Sequence, residues 1–222
     1  MTKSIGSGSR WLGALALAGF LASAAHAEEE VAASAGTRAG PPSNALEVTV
    51  GLGSAQGYGN TAGGDLGVGT SLGVGWRIDR HWMIGAYGEG AVYSGTSSNV
   101  SSLGAAAGVQ ANYHFDAEIQ PWVGLGTGWR GFWRGQDDGR TAYQGLDLVR
   151  LQAGFDVPIS RSFALSPVLG ATLSKFLSHS APDAGGFAGP SSNDLSVFVF
   201  AGALARFDFF GRRSSEVVLA SK

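Results

Sequence analysis

The chain has 222 residues, room for one sizeable domain or two small ones, and it lacks cysteine. That excludes disulfide-stapled small folds and a lipoprotein anchor, which needs a Cys at its cleavage point. Charged residues make up only 14% while Gly numbers 36, so a normally solvated surface is hard to assemble, and the net charge of -2 leaves no basic patch for nucleic acid.

In chain order, residues 1–27 read as a secretory signal. Lys3 and Arg10 form a positive n-region, Trp11 to Ala24 is an apolar run, and Ala25-His26-Ala27 is an A-x-A cleavage site. The run is short for a membrane-spanning helix, which needs about 20 residues. No later stretch reaches that length without a polar or Gly interruption, so any membrane insertion has to be by strands. Cleavage would start the mature chain at Glu28 and make it more acidic. Residues 28–44, three glutamates followed by Ala, Ser, Gly and Pro, read as a flexible leader.

From Ala45 the chain alternates at period two. Leu46, Val48, Val50 and Leu52 oppose Glu47, Thr49, Gly51 and Gly53 in a first strand, and a Gly-rich loop from Gln56 to Asp65 follows. The clearest stretch is Leu66 to Asp79. Leu66, Val68, Thr70, Leu72, Val74, Trp76 and Ile78 share one face, and Gly67, Gly69, Ser71, Gly73, Gly75, Arg77 and Asp79 share the other. Seven alternations in a row cannot be laid on a helical stripe of period 3.6. One face is bulky and aliphatic and the other tiny or charged, which suits a strand between lipid and a narrow polar lumen.

After a turn at Asp79-Arg80-His81, a third strand from Trp82 to Tyr93 sets Ile84, Ala86 and Val92 against Met83, Tyr87, Glu89 and Tyr93. A fourth, Leu103 to Phe115, follows the small polar loop Ser94 to Ser102, although its Ala-rich middle also fits a helix. A short turn from Asp116 to Gln120 leads to a fifth strand, Pro121 to Arg134, with Val123, Leu125, Thr127 and Trp129 opposite Gly124, Gly126, Gly128 and Arg130. Gln136 to Ala142 reads as a charged loop. The sixth strand, Tyr143 to Val157, sets Val149, Leu151, Ala153 and Phe155 against Arg150, Gln152, Gly154 and Asp156. A turn over Pro158 to Ser162 precedes a seventh strand through Phe163, Leu165, Leu169 and Leu173. After a long loop from His179 to Asp194 the last strand carries Val197, Val199, Ala201, Ala203, Phe207 and Phe209 opposite Ser196, Gly202, Arg206 and Asp208.

The total is eight strands with short and long connections in alternation, as an up-and-down meander requires. Aromatics gather beside the short turns, at Trp76, Trp82, Phe115, Trp122, Phe155, Phe163, Phe207 and Phe209. Trp129, Trp133 and Tyr143 stand near the other end, as a second interfacial belt would. On these features the span 45–210 resembles the small eight-stranded outer-membrane β-barrel proteins, the group that includes the OmpA transmembrane domain, OmpX and OmpW.

The resemblance implies an all-β, eight-stranded antiparallel up-and-down transmembrane β-barrel in the cell outer membrane. It implies a monomer surrounded by outer-membrane lipid and lipopolysaccharide, inserted by the barrel assembly machinery, with no cofactor. The chain departs from the family at its end. A C-terminal aromatic commonly closes these proteins, whereas Phe209 and Phe210 are followed by the tail 211–222, which is too short for a peptidoglycan-binding domain.

Two groups of charged residues are candidates for the lumen. Glu89 is expected between Arg130 and Arg150 as a cross-brace, and Glu47, Arg77, Arg206 and Asp208 are expected lower down. Glu47 and Arg206 lie on the first and last strands, which must pair for closure. Inward Tyr87, Tyr93, Trp122, Phe132, Phe198 and Phe200 are expected to cover inward glycines. Eight strands leave an interior just wide enough for side chains, so a plug is expected over an open pore.

Other motifs carry little. Gly124-Leu125-Gly126-Thr127-Gly128 lacks the helix that a dinucleotide loop must open. His26, His81, His114 and His179 have no metal-ligand spacing. Adjacent His179 and Ser180 with Asp183 do not match the one-face His and Ser of outer-membrane deacylases, so no enzyme is expected. Asp65, Asp137, Asp138, Asp183 and Asp194 read as a solvated rim. The expected role is therefore structural or surface interaction in the envelope. The alternatives are a narrow channel for small apolar solutes and, from another class, a secreted lipocalin-like barrel with its aliphatic face turned inward around a ligand.

Overall fold

The computed structural model describes residues 42–94, 101–117, 119–136, 139–160, 162–180 and 195–210. The expected signal, most of the leader, the tail 211–222, and Asp137, Asp138, Asp183 and Asp194 lie outside the described residues. Eight long strands follow in order: β1 Ala45–Gly59, β2 Leu66–Arg77, β3 Trp82–Ser94, β4 Ser101–His114, β5 Pro121–Gln136, β6 Gly139–Phe155, β8 Phe163–Ser180 and β9 Leu195–Phe209. Between β6 and β8 a two-residue β7, Val157–Pro158, continues the pairing with β8 beyond Asp156.

Each long strand pairs antiparallel with the next. β9 then returns to β1, from Leu46↔Phe209 to Gly59↔Ser196, and closes the sheet on itself. Closure leaves no strand edge, so every ladder is satisfied from within the barrel.

The period-two faces stand as read. Large aliphatics point outward and are left open, with Leu52 62%, Val68 61% and Leu169 60% exposed. The inward face holds charged residues such as Glu47, Arg77, Arg130 and Arg206 and the aromatics Tyr87, Tyr93, Trp122, Phe132 and Phe198. A ligand barrel of the lipocalin kind needs the reverse arrangement, which these exposures contradict. The Ala-rich middle of β4 is strand throughout, because β3 and β5 both pair with it along its whole length and tertiary pairing overrides a weak local preference.

Three local differences from the sequence reading have physical causes. The expected charged loop Gln136 to Ala142 is shorter, since β5 runs to Gln136 and β6 begins at Gly139, with Arg134↔Thr141 still in register. Polar residues can continue a ladder as well as apolar ones. Tyr143 leaves its expected outer belt, and of the two places expected for Trp122, belt and interior, the interior one holds. Trp122 is buried inside the barrel, and Tyr143 packs on the interior aromatic cluster.

The third difference is in β6, where Leu148 is an extra residue relative to both neighbours. Arg150 pairs Gly126 and Thr172, whereas Asp147 pairs Gly128 and Ser174. This β-bulge reverses the parity, so Asp147 points inward and Leu146 and Leu148 both point outward.

Candidate functional site

The interior is filled in three layers, and the charged residues expected there occupy two of them. At the short-turn end Glu47 is buried between two cations. Arg77 donates to it directly, and Arg206 Nε lies 3.4 Å from its other oxygen. Arg77 Nε also approaches Asp208 Oδ1 at 3.8 Å, so the lower group of four is assembled in one place. Arg206 joins it to a fifth residue, Asp156, whose Oδ2 lies 3.5 Å from His114 Nδ1. The guanidinium of Arg206 sits 5.1 Å over the Trp122 ring. Trp122 Nε1 donates to Ser166 Oγ at 2.8 Å, and Ser166 in turn donates to the Phe155 carbonyl at 3.0 Å. The base of the barrel is thus a cross-linked ionic floor.

The middle layer is built around Glu89 on β3. Its Oε1 accepts from Arg150 Nε at 2.8 Å and Nη2 at 2.7 Å, two donors converging on one oxygen, and its Oε2 accepts from Arg130 Nη2 at 3.2 Å. Glu89 does bridge the two arginines. A second carboxylate, Asp147, holds Arg130 from the other side through Nε at 2.7 Å and Nη2 at 3.1 Å. Ser174 Oγ, at 2.6 Å, and the Tyr87 hydroxyl, at 3.3 Å, also donate to Asp147. Arg150 Nη1 donates to Gln110 at 2.7 Å, which extends the belt to β4.

Each of these arginines also lies on an aromatic face. Arg150 sits 4.1 Å over Tyr87, and Arg130 sits 4.3 Å over Phe198. A planar guanidinium can stack on a ring while its edge donates to a carboxylate, which a lysine cannot do.

The upper layer is aromatic. Tyr93, Phe132, Phe176 and Phe198 pack with ring centroids 5.7–6.4 Å apart, and Ala55 and Ala62 complete the cluster. These rings cover inward glycines as expected. A Cβ on Gly104 would meet Tyr93 at 3.2 Å, one on Gly108 would meet Tyr87 at 2.7 Å, and one on Gly154 would meet Trp122 at 2.9 Å.

Asp65 is buried rather than solvated, because the β1–β2 connection folds into the mouth of the barrel instead of standing above it. His179 stacks on Tyr143, with centroids 6.1 Å apart, and its suggested partner Asp183 is outside the described residues.

Asp147, Asp156, His114 and Gln110 belong to these layers, although they were not among the candidate charges. Only Asp147 was hidden by the pattern. Its signal was the adjacent pair Leu148-Val149, two large apolar residues in succession where strict alternation requires one.

Two small recesses, of about 30 and about 10 Å³, lie beside these layers, the first lined by Glu89, Arg130, Arg150 and Phe198 and the second by Gln110, Trp122 and Arg206. A single water needs at least about 10–15 Å³ on this measure, so each has room for very few waters. Chemically this arrangement can neutralise its own buried charges and tie strands together across the lumen.

No family model matches the sequence, and no curated protein matches it. Among solved structures, Neisserial surface protein A superposes with a TM-score of 0.52 at 13% identity, covering 74% of this chain and 97% of that one. The outer membrane protein AlkL, determined in lipid bilayers, gives 0.49 at 13% identity over 84% and 97%. The attachment invasion locus protein Ail of Yersinia pestis gives 0.47 at 11% identity over 74% and 99%. The chain has the fold of the small eight-stranded outer-membrane barrels.

Proposed function

We propose that the chain is an integral protein of the bacterial outer membrane, a monomeric barrel that anchors its longer loops outside the cell and serves envelope integrity or surface interaction. The observation that carries this reading is the outward aliphatic band. Leaving a Val or Leu in water rather than burying it forfeits about 1.5–3 kcal/mol, and the band includes Val50, Leu52, Leu72, Val109, Leu125, Leu151 and Leu169. A hydrocarbon surround removes that cost.

Trp76 and Trp82 flank the band at the short-turn end, each about half exposed, where an amphipathic ring suits a membrane interface. Lipid and lipopolysaccharide would be the immediate surroundings, and the barrel assembly machinery would insert it. The Neisserial relative in fold is named a surface protein, which fits a role carried by the outer loops. The braced, filled interior favours an anchor over a conduit, and no catalytic role is proposed.

Washing membranes that carry the protein with urea tests the reading. An integral barrel stays in the pellet, and appearance in the supernatant would overturn the proposal.

A further inference from the structure

The three short connections at one end of the barrel each carry an exposed isoleucine. Ile78 lies between β2 and β3, Ile119 between β4 and β5, and Ile159 between β7 and β8, and they are 51%, 53% and 61% exposed. Turns in bulk water draw on Gly, Pro, Asn, Asp and Ser, and gain nothing from isoleucine. A single exposed apolar residue is ordinary, but one on every short turn is a pattern.

Two of the three extend the outward apolar face. Ile78 N–H donates to the Trp82 carbonyl at 2.9 Å and Ile159 N–H to the Phe163 carbonyl at 3.0 Å, so each stands opposite an aromatic, one step past the last ladder pair. Phe163 in turn packs on Phe207 with ring centroids 5.0 Å apart.

The polar groups of these turns are also provided for. The His81 carbonyl accepts from His114 N–H at 2.8 Å, the Gln120 carbonyl from Asp156 N–H at 3.2 Å and the Ser162 carbonyl from Asp208 N–H at 2.9 Å. Each turn is thereby tied to the neighbouring strand beyond the regular pairing. Water could satisfy such carbonyls on a solvated turn, whereas a medium poor in water cannot. Asp116 lies 3.5 Å from Arg80 and 3.0 Å from the His81 ring, and Asp79 accepts from the N–H groups of His81 and Trp82 at 2.7 and 2.8 Å.

We propose that the short-turn end of the barrel is seated in the headgroup layer of the bilayer. Ile78, Ile119 and Ile159 lie at the boundary with the acyl chains, and the half-exposed side chains of Asp79, Arg80 and Asp116 lie among the headgroups. This rests on the outer-membrane reading and extends its lipid-facing surface past the aromatic girdle to the tips of the turns. The occupant is phospholipid rather than a water-soluble partner protein. On the outward face Val74, Trp76 and Ile78, and likewise Leu165, Phe163 and Ile159, succeed one another with no polar residue between them.

The absence of cysteine leaves the chain free for single labels. Ile78→Cys, Ile119→Cys and Ile159→Cys are compared with Leu72→Cys in the middle of the band and Asn60→Cys at the opposite end, all at exposed positions. Each whole protein carries a nitroxide, has its fold verified by heat-shifted gel mobility and is reconstituted in phosphatidylcholine vesicles. Power-saturation EPR compares collisions with oxygen, which concentrates in the bilayer, and with a nickel chelate supplied on both sides, which stays in water. The oxygen-to-nickel ratio at 78, 119 and 159 should exceed that at 60 at least about threefold, as an apolar group about 5–10 Å inside the headgroup boundary requires, and should stay below that at 72.

Ratios at all three turns equal to that at 60, with 72 still rich in oxygen, would put the turns in water and overturn the inference while the membrane reading stands. A nickel-accessible 72 would overturn both. A lipid-like 78 with aqueous 119 and 159 would mean that the band ends with β2, and the seating falls.

Discussion

Two carboxylates in the middle layer do similar jobs in different surroundings, and the difference sets what their loss should cost. The Asp147 side chain is completely buried and accepts from Arg130, Ser174 and Tyr87, while that of Glu89 retains 19% exposure. Removing one partner of a buried ion pair leaves an uncompensated charge and typically costs about 3–5 kcal/mol. Asp147→Ala should approach that range, because Arg130 would keep only the 3.2 Å contact to Glu89. Glu89→Ala should cost less, about 1–3 kcal/mol, since Arg130 keeps Asp147 and Arg150 keeps Gln110. Urea midpoints of the two variants in detergent check the order. Equal midpoints, or unchanged heat resistance in both, would show that the belt does not brace the barrel.

At the scale of the strand, the bulge in β6 deserves a different experiment from a substitution. Leu148 is extra relative to β5 and to β8 alike, so deleting it leaves the pairing above and below in its present register and keeps Asp147 inward. Deleting Val109 from the unbulged middle of β4 would instead send the residues on one side of the gap to the wrong face. The Leu148 deletion should therefore fold, within about 1–2 kcal/mol of the parent, as a relieved local irregularity would. The Val109 deletion should fail to give the heat-resistant form. Should the two deletions behave alike on a gel, the bulge is not the device that orients Asp147.

The bulge also marks where reading by pattern ended. Glu47, Arg77, Arg206 and Asp208 could be placed together from sequence, because each lies on an uninterrupted alternating stretch and the first and last strands of a closed barrel must meet. Glu89, Arg130 and Arg150 followed for the same reason. Asp147 did not, since parity counted upward from Arg150 points it outward until the two-for-one pairing at Leu148 is known.

For the molecule as a whole, the filled interior predicts how it behaves in a bilayer. The ionic floor and the belt cross-link the lumen at two depths, and the recesses beside them have room for very few waters. Liposomes loaded with the purified barrel should not swell in graded solutes, apolar or polar, above the rate of protein-free vesicles. Swelling that depends on solute size would mean that the layers part, and the anchoring role would give way to a conduit.

The sequence by itself determined the strands, their faces and the greasy exterior, because a pleated chain shows every second side chain to the same surroundings and composition then names those surroundings. It also determined which charges share the interior wherever that alternation is unbroken. Only the tertiary structure decided the inward turn of Asp147 and the burial of Thr61, Ala62 and Asp65. One depends on how many residues of a neighbouring strand face each position, and the other on whether the mouth of a closed barrel is wide enough to take a loop. Neither quantity is carried by the order of residues along a single strand.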